Sequence, residues 1–316
     1  MRALRYSAYG SPDVLKLGEV PKPEPGPGQV RMRVHAGSVN PIDWKRASGE
    51  YRLVMPVKFP SVPMYDAAGL VDALGPDVTG FAAGDRVHAR IADASGGAAA
   101  EYALVGAGVL ARIPEAMSDG EAAALPLAGM TAVQALRDKA GMPLSGAGER
   151  VLVVGASGGV GHFAVQIARA AGATVVGVCS ARNAELVLSL GAHAVIDYAS
   201  ADPYAGQPPF DIVLDCVGSD AAPFLGLLVR GGRYVTCLPS PGILLRSLFN
   251  PFTSRSVRTI LLQPSAADLV YLDELYSAAQ LRVVIDSRFP LAELAAAWRR
   301  SITGRVVGKV IVDVDR

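Results

Sequence analysis

From about residue 119 onward, short apolar runs alternate with amphipathic ones. Val151-Leu152-Val153-Val154 is an apolar run of strand length, and His162 to Ala170 carries apolar residues at helical spacing. The same alternation predicts strands at Thr174–Val178, Ala194–Asp197, Phe210–Asp215 and Tyr234–Leu238. Between them it predicts a helix at Ala184–Leu190 stopped by Gly191, and one at Pro223–Val229 ended by Gly231-Gly232. Upstream, Asp119–Pro126 and Gly129–Ala140 read as helices, with Ser118 as N-cap and Glu121 at the capping-box position. A last helix is expected over roughly 267–279, capped by Ser265. Strands alternating with helices specify a doubly wound parallel sheet of the α/β class.

The first 118 residues have a different rhythm. Val30-Arg31-Met32-Arg33-Val34-His35-Ala36 alternates apolar and polar positions, as a half-buried strand does. Proline and glycine clusters, such as residues 21–28, separate such runs and cannot supply ladder donors. This segment predicts a small β-barrel. Val306 to Val312 returns to strand character, and we expect it to pair back into the first domain. The expected organisation is therefore a β-barrel domain over 1–118 with a C-terminal return over 285–316, and a parallel-sheet domain over 119–284.

Composition narrows the function. The net charge is +1 and charged residues make up 19%, which gives no electrostatic case for a nucleic-acid or membrane partner. Mean hydropathy is +0.31, but the apolar residues fall in runs well short of the roughly 18 needed for a membrane span. The N-terminus lacks the apolar core of a secretory signal. A cytoplasmic protein is the expectation. The three cysteines, Cys179, Cys216 and Cys237, stand outside any CxxC spacing and read as buried small hydrophobes. His35, His88, His162 and His193 are scattered, so local spacing assembles no zinc ligand set.

The chemistry-bearing motif is Gly155-Ala156-Ser157-Gly158-Gly159-Val160-Gly161. It lies between a predicted strand and a predicted helix, the context that a dinucleotide fingerprint requires. Glycines there permit a tight turn and let N–H groups approach a pyrophosphate at the positive end of the helix. Ser157, Gly158, Gly159 and Val160 are the residues expected to wrap it. An acid about 20 residues further on would grip the adenosine ribose of NAD. Here Val178-Cys179-Ser180-Ala181-Arg182-Asn183 holds no carboxylate. Arg182 would attract a 2′-phosphate that an acid would repel, so NADPH is the expected cofactor. Val217 and Leu238 lie at the ends of later strands, where the dinucleotide crevice of such sheets opens.

With these segments read, the chain resembles the zinc-independent quinone oxidoreductases of the medium-chain dehydrogenase/reductase superfamily over essentially its whole length. The resemblance rests on Val39-Asn40-Pro41-Ile42-Asp43 with Ser48-Gly49-Glu50-Tyr51, on Leu127-Ala128-Gly129-Met130-Thr131-Ala132, on the glycine loop and on Gly308-Lys309-Val310. It implies a GroES-like barrel plus a Rossmann domain, with the active site in the cleft between them. Zinc-dependent relatives carry a cysteine ligand where this chain has Asn40, and Gly-His-Glu where it has Met64-Tyr65-Asp66. The resemblance thus implies metal-free hydride transfer from NADPH to a quinone or an α,β-unsaturated carbonyl. Asn40 is expected near the nicotinamide ribose or the substrate carbonyl, and Tyr51 at the substrate mouth. Tyr65, Asp66 and Met130 are expected at the substrate pocket. Thr131 is expected to face the nicotinamide, with Ser180, Arg182 and Tyr198 around the 2′-phosphate and Leu262-Gln263 reaching the nicotinamide. Ser254 to Gln263 could equally be an edge strand used in a homodimer. Two rival readings are an enoyl-thioester reductase, which would favour Lys45, Arg46 and Arg52 on a basic rim, and a non-enzymatic NADPH-binding protein.

Overall fold

The computed structural model describes residues 1–91, 97–200 and 203–314. They form two compact units. One comprises Met1–Met130, Pro264–Ser277 and Val283–Arg316; the other comprises Thr131–Gln263 and Ala278–Arg282.

The first unit opens with β1 (Arg2–Arg5) and β2 (Lys16–Glu19), which pair with each other. There follow β3 (Gln29–Val39), α1 (Pro41–Ser48), β4 (Asp66–Leu74), β5 (Arg86–Arg90), β6 (Tyr102–Gly106), β7 (Ala111–Arg112) and α2 (Asp119–Ala124). The helix α3 (Pro126–Gln134) runs on into a π-helical turn at Ala135–Lys139. Strand β3 organises this unit. Val30, Met32 and Val34 alternate into the core, as the period of two requires. Its first half pairs with β6 and its whole length with β4, both antiparallel.

In the second unit, β8 (Arg150–Val154), α4 (Gly161–Ala170), β9 (Thr174–Cys179), α5 (Ala184–Ser189), β10 (Ala194–Asp197), β11 (Phe210–Asp215), α6 (Ala222–Leu225), β12 (Leu228–Thr236), α7 (Pro241–Leu248) and β13 (Ser256–Thr259) follow one another. The strands form one parallel sheet in the order β10-β9-β8-β11-β12-β13. Counted within the unit, that order is 3-2-1-4-5-6, the doubly wound dinucleotide-binding order. Strands β10 and β13 are the two edges of this sheet. Leu152, Val176, Phe210, Val213 and Tyr234 lie in the core cluster of this sheet.

The chain returns to the first unit with α8 (Ala266–Ser277), β14 (Ile285–Pro290), α9 (Leu294–Ile302) and β15 (Lys309–Asp313). Strand β15 pairs antiparallel with the second half of β3, and β14 joins it on the outside. Trp298 of α9 is fully buried against this sheet. No helix among the described residues is long and apolar enough to cross a membrane.

One expected helix is corrected. Pro223–Val229 does not continue as a helix to Gly231-Gly232: α6 stops at Leu225, and β12 begins at Leu228 and runs through both glycines. The register jumps there, with Phe210 opposite Leu228 and Ile212 opposite Arg233. Gly231 takes a φ of +84°, and its N–H reaches the Ser254 carbonyl at 2.6 Å. The glycines that look like a helix stop are instead a bulge within a strand.

The turn after β8 depends on close backbone approach. A Cβ built on Gly161 would stand 2.1 Å from the Gly155 carbonyl oxygen. Gly161→Ala should therefore lower stability by about 1–3 kcal/mol through local overpacking. Urea denaturation checks this; an unchanged midpoint would show that the turn has room to move.

Candidate functional site

In the second unit the site grows from the C-terminal ends of β8, β9 and β11. The N–H groups of Gly155 and Ala156 both donate to the Val178 carbonyl, at 3.0 Å each, which ties the loop to β9. Gly158 N–H closes the turn on the Gly155 carbonyl at 2.9 Å. Helix α4 then starts at Gly161, and the N–H of His162 in its first turn donates to the Gly158 carbonyl at 3.0 Å. Ser157, Gly158, Gly159 and Val160 thus lie on the loop that leads into the positive end of α4. Asn183 donates to Ser157 Oγ at 2.9 Å and joins this loop to the turn after β9.

That turn carries Ser180 and Arg182, the latter exposed. Tyr198 follows β10, is 61% exposed, and donates its N–H to the Cys179 carbonyl at 3.3 Å. The three residues expected around a 2′-phosphate therefore share one edge of the sheet. Asp197 ends β10 opposite Cys179. Its Oδ1 accepts the Ala199 N–H at 3.1 Å, so this carboxylate serves its own turn.

Asp215, which the sequence reading gave no role, organises the loop after β11. It is fully buried. Its carboxylate accepts N–H groups from Val217 (3.0 Å), Gly218 (3.2 Å) and Ser219 (2.7 Å), and hydroxyls from Tyr234 (2.7 Å) and Thr236 (3.2 Å). Burial, with Asp215 next, holds the Tyr234 phenol far above its usual range. Thr236 Oγ1 in turn accepts the Leu238 N–H at 3.2 Å, and Leu238 packs against Gly218. Val217 and Leu238 are thus held at neighbouring strand ends. The Gln134 side chain clasps the Gln263 backbone from both sides, with N–H···O distances of 3.0 and 2.7 Å, and so fixes the segment containing Leu262 and Gln263. An acid following the apolar run Ile212–Leu214 is a local signal for Asp215, because such a group demands partners once buried. Nothing local marked Gln134.

In the first unit a buried polar cluster joins β3, α1, β4 and β15. Lys309 Nζ donates to Asn40 Oδ1 at 2.6 Å and lies 3.7 Å from Asp66 Oδ2. Asn40 Nδ2 donates to Asp66 Oδ2 at 2.7 Å and to the Ser38 carbonyl at 3.4 Å. Ser38 Oγ and Leu127 N–H complete the donors to Asp66, at 2.8 and 3.0 Å. Burial raises the Asp66 carboxyl and lowers the Lys309 ammonium, while their mutual attraction opposes both shifts. Asn40 is 2% exposed and its amide is occupied inside the cluster. Asp66 and Met130 are likewise fully buried. Tyr65, also buried, accepts a hydrogen bond from Arg46 and lies beneath the Arg90 guanidinium; burial pushes its phenol up to about 12. Tyr65, Asp66 and Met130, expected at the pocket, are all buried. Tyr51 is partly exposed, with Lys45 5.8 Å from its ring centre. Thr131 is buried within α3. Of the residues weighed for a basic rim, Arg46 is buried and Arg52 is exposed.

Asp43 is the anomaly of this cluster. It is buried; its Oδ2 accepts the Asn40 N–H at 2.7 Å, while its Oδ1 has no hydrogen-bond partner. Burial, aided by the nearby Asp66 charge, pushes its carboxyl from 3.8 up to about 8. Between about pH 4 and pH 8 the unfolded chain releases this proton and the folded chain keeps it. Rising pH therefore removes stability across that window. Asp43→Asn keeps an acceptor for the Asn40 N–H and does not titrate. Its stability relative to the native chain should climb from acid to mildly alkaline pH, as read by denaturant midpoints; a flat difference would contradict the buried-acid assignment.

Comparison with known proteins agrees with both halves of this description. Residues 26–115 match the family described as the alcohol dehydrogenase GroES-like domain, and residues 190–312 the one described as zinc-binding dehydrogenase. The chloroplast envelope quinone oxidoreductase homolog of Arabidopsis thaliana is 38% identical, over 99% of this chain and 98% of its own length. The 2-methylene-furan-3-one reductase of Solanum lycopersicum is 34% identical, over 99% of this chain and 79% of its own. The solved structure of the quinone oxidoreductase from Coxiella burnetii superposes with a TM-score of 0.89 at 33% identity, covering 99% of each chain. With a GroES-like domain, a sheet in dinucleotide-binding order and relatives matched along its whole length, this chain is an oxidoreductase and belongs to the quinone oxidoreductase family of the medium-chain dehydrogenase/reductase superfamily.

Proposed function

We propose that this chain is a zinc-independent, NADPH-dependent reductase that delivers hydride to a quinone or an α,β-unsaturated carbonyl. The observation that carries the cofactor choice is the turn after β9, where Ser180 and the exposed Arg182 stand without a carboxylate, beside Tyr198. A guanidinium and two hydroxyls suit a 2′-phosphate through charge-assisted hydrogen bonds. The loop from Ser157 to Val160 suits the pyrophosphate, and the segments at Val217, Leu238 and Gln263 continue the binding edge. When bound, NADPH supplies the hydride. The chain's own residues hold the dinucleotide, orient the acceptor and exclude water, so proximity and orientation carry most of the rate. Tyr51, partly exposed beside Lys45, stacks on the acceptor or donates to its oxygen.

Zinc, which the description of one matching family mentions, does not fit the residues present. Where zinc-dependent relatives of this superfamily place a thiolate and an imidazole, this chain has Asn40 and Tyr65-Asp66, and the Lys309 ammonium stands against Asn40 and Asp66. A cation next to a buried ammonium gains nothing from one shared carboxylate. The histidines are dispersed on separate partners: His35 on Asp119, His88 on Asp273 and Ala122, His162 on Gly158, and His193 on Val175. The acceptor class follows the relatives' names, which cover a quinone oxidoreductase and the reductase of an exocyclic enone.

Steady-state oxidation of NADPH and NADH against 9,10-phenanthrenequinone, a simple enone and crotonyl-CoA tests this reading. NADPH should be preferred, with turnover of the quinone or enone exceeding that of the thioester. Arg182→Ala should raise KM for NADPH by about tenfold or more, as loss of a charged hydrogen bond predicts, with KM for NADH and kcat little changed. Equal effects on both dinucleotides, or native preference for NADH, would overturn the 2′-phosphate assignment.

A further inference from the structure

Two cysteines without a role so far end neighbouring strands. Cys216 is the residue after β11, and Cys237 the residue after β12. The ladder continues through both: the Cys216 N–H donates to the Val154 carbonyl at 3.0 Å, and the Cys237 N–H to the Asp215 carbonyl at 2.9 Å. Asp215 and Thr236 are partners in register, so Cys216 and Cys237 occupy the next facing positions, where side chains project to the same side of the sheet. Cys237 beside it is the chief cause that raises the Cys216 thiol, and both thiols are reduced and partly buried. Adjacent strands lie about 4.8 Å apart, inside the Cα separation that a disulfide spans. Cys179 ends β9, with β8 standing between it and β11, and is buried.

We infer that Cys216 and Cys237 form a vicinal dithiol site that takes trivalent arsenicals and closes to an intrachain disulfide, and that either event opposes dinucleotide binding at the same strand ends. The coupling half rests on the dinucleotide site described above. The ends of β8 and β11 flank the point where the strand order reverses, which is where such sheets bind dinucleotides. Cys216 and Val217 abut the first glycine of the phosphate loop: a Cβ on Gly155 would meet Val217 Cγ1 at 2.5 Å and Cys216 Cβ at 3.7 Å. Any group added to the Cys216 sulfur, or any contraction toward Cys237, is therefore transmitted to that loop. Reciprocally, bound dinucleotide protects the thiols.

With glutathione disulfide as oxidant, one cysteine thiolate attacks a glutathione sulfur and displaces a glutathione thiolate, leaving a mixed disulfide. The second cysteine thiolate then displaces the other glutathione, and the intrachain S–S bond forms. Two S–H bonds are lost, two electrons pass to the oxidant, and both glutathiones leave as thiols with the two protons. With phenylarsine oxide no redox change occurs. Two As–S bonds replace the arsenic–oxygen bonds, and the oxygen leaves with both thiol protons as water.

The experiment treats the full chain separately with phenylarsine oxide and with glutathione disulfide. Intact mass and unreduced peptide maps are read, alongside fluorescence titration with reduced nicotinamide dinucleotide. The native chain and Cys179→Ser should each retain one arsenical, and should lose two hydrogens to oxidant with Cys216 and Cys237 joined. Cys216→Ser and Cys237→Ser should stop at a mixed glutathione adduct. Kd for the dinucleotide should rise about tenfold or more on oxidation, a coupling within the usual range, and should recover on reduction. A native chain that accumulates only mixed glutathione adducts, or joins other cysteines, overturns the dithiol site; this readout needs no variant to fold. A joined pair with unchanged Kd overturns the coupling. If the reduced native chain binds no dinucleotide at all, it is the cofactor reading that fails, since the mass readout stands apart from it.

Discussion

The ammonium of Lys309, buried between Asn40 and Asp66, is the constraint on which the first unit is built. It lies on the last strand and reaches an asparagine 269 positions earlier in the chain. Asp66 adds β4 and, through the Leu127 N–H, the start of α3. One cluster therefore fixes where β3 ends, where α1 begins and where the closing strand docks. A buried pair of this kind is weak evidence for net stability, because desolvation offsets the attraction, but removing one partner typically costs about 3–5 kcal/mol. Its value is positional: it fixes Asn40 and Asp66 against one buried ammonium, so a positive charge stands at the junction of β3, β4 and β15.

The second unit has its own organising group in Asp215. Six donors converge on its carboxylate, three of them backbone N–H groups of a single loop. That fan sets the path of Cys216, Val217 and Gly218 past the glycine turn. Charge is therefore used in the same manner in both units. A buried carboxylate gathers backbone and side-chain donors at the end of a strand, and the residues around it inherit fixed positions. Asp43 departs from this pattern, with one oxygen lacking a partner.

Local requirements were legible in the amino-acid sequence. The glycine turn could be read because close backbone approach at Gly155 and Gly161 admits little else, and the strand–helix alternation because parallel strands buried on both faces are short apolar runs. The end of α6 was misread because Gly231-Gly232 serves equally as a helix stop and a strand bulge; the choice is made by pairing with Phe210, which no local pattern encodes. The motif positions Asn40 and Asp66 were picked out, but not the direction in which their side chains point. That direction is fixed by Lys309, which is remote in the chain. Gln134 carries no local signal for the same reason, since its partner Gln263 is brought to it only by the fold.

The proposed function has this chain move hydride without a metal, with the Lys309 ammonium already paired to Asn40 and Asp66. The direct measurement is the zinc content of purified, active protein, made together with its NADPH–quinone turnover before and after exhaustive chelation. The account predicts far less than one zinc per chain and turnover unchanged by the chelator. Stoichiometric zinc, with activity lost on chelation and restored by the metal, would contradict it.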